Sequence, residues 1–291
     1  MCALYAVCAG CQGQWSTAVL YICDDAGCRS RCFWRGRIRG SLDIIAVSSD
    51  NAGVSYPGGK AGAGVYQQII NQIPPHRVYI EPFLGAGAVM RFKKPADCSI
   101  GIDSDDDVVA KWMLAEKSDE DVDLIVKKGD AISFLSSYDW QGGEFVYCDP
   151  PYLFETRSYK RPVYACEFGE GVQHRQLLRV LRLLPCMVAI SGYWSSLYGE
   201  MLAAWRTISF QTTTRGGGVV REWLWMNYPE PTQLHDYSYL GNNFRERERI
   251  KRIKMRWSAR LARMDRLERY AVMAALAGFG EPALDDRASP D

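Results

Sequence analysis

Between residues 54 and 231, short apolar runs alternate with stretches of helical spacing. Residues 78–80, 99–102, 145–148 and 187–190 are brief, apolar and stopped by Pro, Gly, Ser or acidic residues, as strands are. Residues 124–126 read as a further strand or a helix end. Residues 62–73, 108–114 and 173–184 have helical character; Val65, Ile69 and Ile73 in the first recur every four residues. Residues 205–211 and 219–227 alternate about Gly216-Gly217-Gly218, which predicts an antiparallel terminal hairpin. Strands alternating with helices bury both faces of a mostly parallel, twisted sheet, so the expected class is α/β. Such sheets take ligands beyond the carboxyl ends of their strands.

Four of those strand ends carry distinctive chemistry. Phe83-Leu84-Gly85-Ala86-Gly87 follows one strand and opens a helix. Glycines there let a ligand approach the backbone, although many strand-to-helix turns contain them. Asp103 stands at the next strand end, about 20 residues on, where an acid can hold ribose hydroxyls. Loop and acid together favour an adenosine-type ligand; an ordinary turn before a solvated acidic stretch is the alternative. Asp149-Pro150-Pro151-Tyr152 is more specific. Two prolines remove two N–H donors and stiffen the turn. The Pro150 carbonyl and the Asp149 carboxylate then form an acceptor pair beside an aromatic ring, which suits a planar base with an exocyclic amine.

In order along the chain stand Tyr56-Pro57-Gly58-Gly59-Lys60, Glu81-Pro82-Phe83-Leu84-Gly85-Ala86-Gly87, Ile102-Asp103, Gly129-Asp130 and Asp149-Pro150-Pro151-Tyr152. This series resembles the N6-adenine-specific DNA methyltransferases of the DNA adenine methylase family, especially their compact phage-encoded members. The resemblance spans about residues 54–231. It implies a Rossmann-like S-adenosylmethionine-dependent methyltransferase fold, S-adenosyl-L-methionine as methyl donor and adenine in DNA as acceptor. It further implies that Tyr56 and Lys60 contact the cofactor near its methionine end. Phe83, Gly85 and Gly87 would form its loop, Asp103 would hold its ribose, and Asp130 would lie beside its adenine ring. Position 56 departs from the family, which usually has another aromatic there. Asp149 would stand between cofactor and target base, with Pro150, Pro151 and Tyr152 completing the catalytic turn. The Asp149 carboxylate and the Pro150 carbonyl would accept the two amino N–H bonds, freeing the nitrogen lone pair and stabilising the charge that develops. Tyr152 would stack on a base extruded from the duplex. His76, His174 and His235 lack metal-ligand spacing and read as surface or loop residues; no metal is expected.

The long recognition insert of larger relatives is missing, because residues 131–148 suffice only for a helix and a strand. Arg157, Tyr159, Lys160 and Arg161, just after the catalytic turn, are candidate DNA contacts, as is Arg215 beside the hairpin glycines. The alternatives are a disordered flap and a plain turn. Charge is segregated. Residues 245–270 hold eleven Arg or Lys against four acids, although the whole chain is at +1. Residues 241–277 read as one long basic amphipathic helix before an acidic tail, either a phosphate-binding arm or a packed or dimerising helix. The expected partner is double-stranded DNA with a flipped adenine. The chain is expected to be monomeric, with that helix as the surface for any weak dimer, and no run is apolar enough to span a membrane.

Residues 1–53 hold six of the ten cysteines and show no periodicity. They are expected to be a poorly structured extension, with Val54 as a candidate true start. The alternative is a zinc site at Cys8, Cys11, Cys28 and Cys32. The absence of a signal-peptide pattern points to the cytoplasm. Two other functions compete with DNA methylation: a catalytically silent DNA-binding protein, and a methyltransferase for RNA or a protein amide.

Overall fold

The computed structural model describes residues 22–23, 29–30, 60, 64–114, 123–157, 166–213 and 218–278. Tyr56, Tyr159, Lys160, Arg161, Arg215 and the four proposed zinc-binding cysteines lie outside the described residues. The strands Ile22–Cys23 and Arg29–Ser30 pair antiparallel within a unit Met1–Ile44. Everything below concerns the unit Ile45–Asp291.

Seven strands form one sheet: β1 (Val78–Glu81), β2 (Cys98–Asp103), β3 (Asp123–Lys128), β4 (Glu144–Cys148), β5 (Met187–Gly192), β6 (Arg206–Thr213) and β7 (Val219–Met226). Their order is β3-β2-β1-β4-β5-β7-β6. The first five run parallel, while β7 is antiparallel to both β5 and β6. The class is therefore α/β, with a terminal hairpin on one edge. Residues 124–126, which the sequence allows as strand or helix end, lie in β3.

The central strands show why the fold is doubly wound. In β4, Val146 and Cys148 pack into one apolar cluster, Phe145 and Tyr147 into another, and all four are buried. Ile80 and Tyr79 divide likewise in β1, as do Ile190 and Ala189 in β5. Because successive side chains point to opposite faces, a strand apolar at every position needs cover on both. One face is covered by α4 (Ala131–Ser137), α5 (Gly171–Leu181) and α6 (Ser196–Met201), through Leu135, Leu177, Leu181 and Tyr198. The other is covered by α1 (Val65–Ile70) and α2 (Ala88–Phe92), through Val65, Ile69, Ile70 and Val89. Helix α3 (Asp106–Leu114) packs Val108 and Trp112 against Leu84 and Leu124.

The basic C-terminal segment differs from the single helix predicted. It forms α7 (Phe244–Arg263) and α8 (Arg266–Ala277). Asp265 ends the continuity: its carboxylate accepts the N–H groups of Leu267 and Glu268 and so begins a new helix. Neither helix contains a buried residue. Among the described residues no helix is long and apolar enough to cross a membrane.

Candidate active site

β1 leads to β2 on one side and β4 leads to β5 on the other, so the strand order reverses between β1 and β4. A crevice opens there beyond the carboxyl ends. It is a cleft of about 340 Å³, lined by Lys60, Phe83, Gly85, Gly87, Asp103, Asp130, Asp149, Pro150, Pro151 and Tyr152 among others. Every described cofactor or catalytic residue expected from the sequence thus faces one space.

The glycine loop is fixed from below. Gly85 and Gly87 have φ of 46° and 57°, the left-handed region that side chains disfavour. A Cβ on Gly87 would also stand 2.2 Å from the Trp112 ring, so packing as well as backbone geometry requires glycine. The Trp112 indole N–H donates to the Gly85 carbonyl at 2.9 Å. Asp103 accepts the Gly85 N–H at 2.8 Å and the Asp105 N–H at 2.9 Å. Burial raises its carboxyl above the usual range, and these N–H groups oppose that. Loop and acid are one hydrogen-bonded unit. Asp130 caps α4 by accepting the Ser133 N–H at 2.8 Å and stays exposed at the rim.

Around Asp149 the structure assembles a buried polar network. Its Oδ1 accepts from Lys60 Nζ at 2.7 Å and from Ser191 Oγ at 2.8 Å. Lys60 Nζ also lies 2.6 Å from the Tyr152 hydroxyl and 3.1 Å from Glu222 Oε1. Tyr152 donates to the same Glu222 oxygen at 2.6 Å. Burial works against the Lys60 charge, but Asp149 and Glu222 outweigh it and hold the ammonium above its ordinary range. Two carboxylates and one ammonium leave the network one negative charge in excess. Among the described residues nothing donates to Asp149 Oδ2 or to the Pro150 carbonyl. Both are therefore available to a ligand in the cleft. The Tyr152 ring meets Tyr193 edge-on, with centroids 4.6 Å apart.

Three residues differ from expectation or escaped it. His174 is not a surface residue: it is buried on α5, its Nδ1 pairs with the Tyr198 hydroxyl at 2.8 Å and its Nε2 with the Pro151 carbonyl at 3.1 Å. It braces the Asp-Pro-Pro-Tyr turn. Arg157, expected on the DNA, is turned inward with a nearly covered side chain; it pairs with Glu167 at 3.0 Å and donates to the Tyr152 carbonyl at 2.5 Å. A guanidinium so engaged holds the turn and is not presented to a phosphate. Sequence reasoning does not find Glu222; the available signal is an acid that, with Arg221 beside it, interrupts a mostly apolar second hairpin strand and is buried where Arg221 is exposed. Among the described residues, no three His, Cys, Asp or Glu side chains converge as a metal site.

No family model and no curated protein matches the chain. Solved structures resemble it remotely. A precorrin-8W decarboxylase from Methanobacterium thermoautotrophicum is 14% identical over 63% of this chain and 98% of that one, with a TM-score of 0.36. A SAM-dependent methyltransferase from Methanosarcina mazei is 10% identical over 55% of this chain and 95% of that one, at 0.39. A Pyrococcus abyssi tRNA (uracil-54, C5)-methyltransferase, solved with S-adenosyl-L-homocysteine, is 12% identical over 56% of this chain and 37% of that one, at 0.36.

Proposed function

We propose that the chain is a methyltransferase that moves a methyl group from S-adenosylmethionine to the N6 amino group of adenine in double-stranded DNA. One observation carries the reading: Asp149 has one oxygen pinned by Lys60 and Ser191, while the other, with the Pro150 carbonyl, is left open beside a cleft suited to an adenosine-type ligand.

The residues fit such a cofactor. The glycine loop offers close backbone, Asp103 a carboxylate, and Ile132 and Phe168 apolar surface. When bound, S-adenosylmethionine supplies an electrophilic methyl group on a sulfonium. Asp149 and Pro150 then have a defined task. Adenine's amino nitrogen is a weak nucleophile because its lone pair is delocalised into the ring. Asp149 Oδ2 and the Pro150 carbonyl accept its two N–H bonds, draw the nitrogen toward tetrahedral geometry and orient the lone pair. In the transfer the nitrogen would gain the methyl carbon as the methyl–sulfur bond breaks and leaves a neutral thioether; the positive charge that grows on the nitrogen is stabilised by the preorganised acceptors, and one amino proton is then lost to solvent. Lys60 and Ser191 fix the carboxylate without covering its second oxygen. Tyr152, held through its hydroxyl, presents its ring at the cleft wall for an extruded base.

Labelled cofactor offered in parallel to DNA, RNA and protein tests the substrate class. Label in DNA alone supports the reading. Label in RNA or protein with none in DNA would replace it with a methyltransferase for another planar amine.

A further inference from the structure

Of the seven arginines of helix α7, Arg247 points back to the Gly241 carbonyl, and the other six stand at positions 245, 249, 252, 256, 260 and 263. The intervals are four, three, four, four and three, which keeps all six on one side of a helix turning about 100° per residue. All six are exposed. Among the described residues none of them forms an ion pair. Arg260 lies over the Trp257 ring at 5.6 Å, and Glu248 stands at the edge of the file near Arg245 and Arg252. From Arg245 to Arg263 the file runs about 27 Å. The helix's lysines, Lys251 and Lys254, lie off this line, and Lys254 instead donates to the Tyr237 carbonyl.

We propose that this arginine file is where the chain grips the phosphate backbone of duplex DNA. The inference rests on reading DNA as the substrate. A narrow line of cations complements a linear polyanion that carries one charge per ~1.7 Å of axis. Arginine alone occupies the line, and its planar fork pairs phosphate oxygens two at a time, which lysine cannot do. A second copy of the chain is a poor occupant, because two such files would repel. A bilayer is also a poor occupant. Membrane-surface helices bury a broad apolar face, whereas on α7 Ile250, Ile253 and Leu261 are partly covered, and the exposed Phe244 and Met255 fall on one side of the file and Trp257 on the other.

The test compares two charge-matched variants of the full chain, Arg252→Gln/Arg256→Gln and Lys251→Gln/Lys254→Gln. Binding of a fluorescent DNA duplex is titrated over a range of salt, without cofactor. Each phosphate contact adds about 0.9 to the slope of log K against log salt. The arginine pair should make the slope shallower by about two and weaken binding at every salt concentration. The lysine pair should change it by much less. Equal effects of the two pairs, or none, would overturn the inference. So would a loss of binding to phosphatidylserine vesicles, or of self-association in sedimentation, with duplex affinity unchanged. Because no methyl transfer is measured, failure here leaves the catalytic reading standing. Conversely, a steep arginine-dependent slope in a chain that never methylates DNA would remove that reading and keep the surface.

Discussion

In the proposed mechanism, Asp149 is the residue on which the chemistry turns. Replacing it by Ala removes the open acceptor but leaves Asp103 and the glycine loop in place. Cofactor affinity should stay close to that of the native chain, and the methylation rate should fall by about a hundredfold or more, as when one preorganised transition-state hydrogen bond is removed. Turnover near the native rate would take Asp149 out of the mechanism. Glu222 acts through its neighbours. Glu222→Gln keeps an acceptor for Tyr152 but removes a charge opposite Lys60, so Lys60 leans harder on Asp149. Turnover should drop on the order of tenfold, about 1.4 kcal/mol, with little change in cofactor affinity. Steady-state kinetics beside cofactor titration separate the two, and native turnover in this variant would reduce Glu222 to packing. Glu81 yields a pH prediction. Burial, reinforced by Asp149, raises its carboxyl from 4.5 to about 8 although the Tyr79 hydroxyl donates to it. Between those values the folded chain keeps a proton that the unfolded chain has lost, so stability falls as pH rises through the window. Glu81→Gln should match the native chain near about pH 4 and be the more stable near about pH 9 in denaturant titrations. A native chain that gained on the variant with rising pH would contradict the burial argument.

At the scale of elements, α5 and the hairpin support the site from opposite sides. β7 delivers Glu222, and α5 delivers His174 to the Pro151 carbonyl. Burial lowers the His174 imidazole from 6.5 to about 4, so it is neutral at physiological pH. Below 6.5 the unfolded chain takes up the proton first, and stability is lost as pH falls toward about 4. His174→Asn should flatten that acid limb in thermal melts and slow methylation. An unchanged limb would place the acid sensitivity elsewhere. The strands were legible because each buried strand is apolar at nearly every position and stops at a residue that cannot continue it. The cleft was legible because its residues sit at those stops. Glu222 and His174 were harder to read, for a physical reason: each lies inside an element, where a polar side chain is meaningful only once its partner across the fold is known. His174 shares its helix face with Leu177, Leu178 and Leu181, which was the available sign of burial. The break between α7 and α8 had a local signature too, Asp265 followed three residues later by Glu268. The longer periodicity across it concealed that cap.

For the whole molecule, the sheet order sets the division of labour. Reversal of strand order between β1 and β4 opens one cleft, and the glycine loop, Asp103, Asp130 and Asp149 reach it from four strand ends. Positive charge is concentrated far along the chain, in α7 and α8, so on the proposals above chemistry and phosphate contact fall to different segments. The activity proposed for the cleft is methylation of the adenine amino group in DNA. Its most direct test is to incubate unmethylated plasmid DNA with the full chain and S-adenosylmethionine, digest it to nucleosides and measure the products by mass spectrometry. N6-methyldeoxyadenosine that appears with the native chain and is lost with Asp149→Ala is the predicted result. Bound cofactor with no methylated deoxyadenosine, or methylation confined to cytosine, would contradict it.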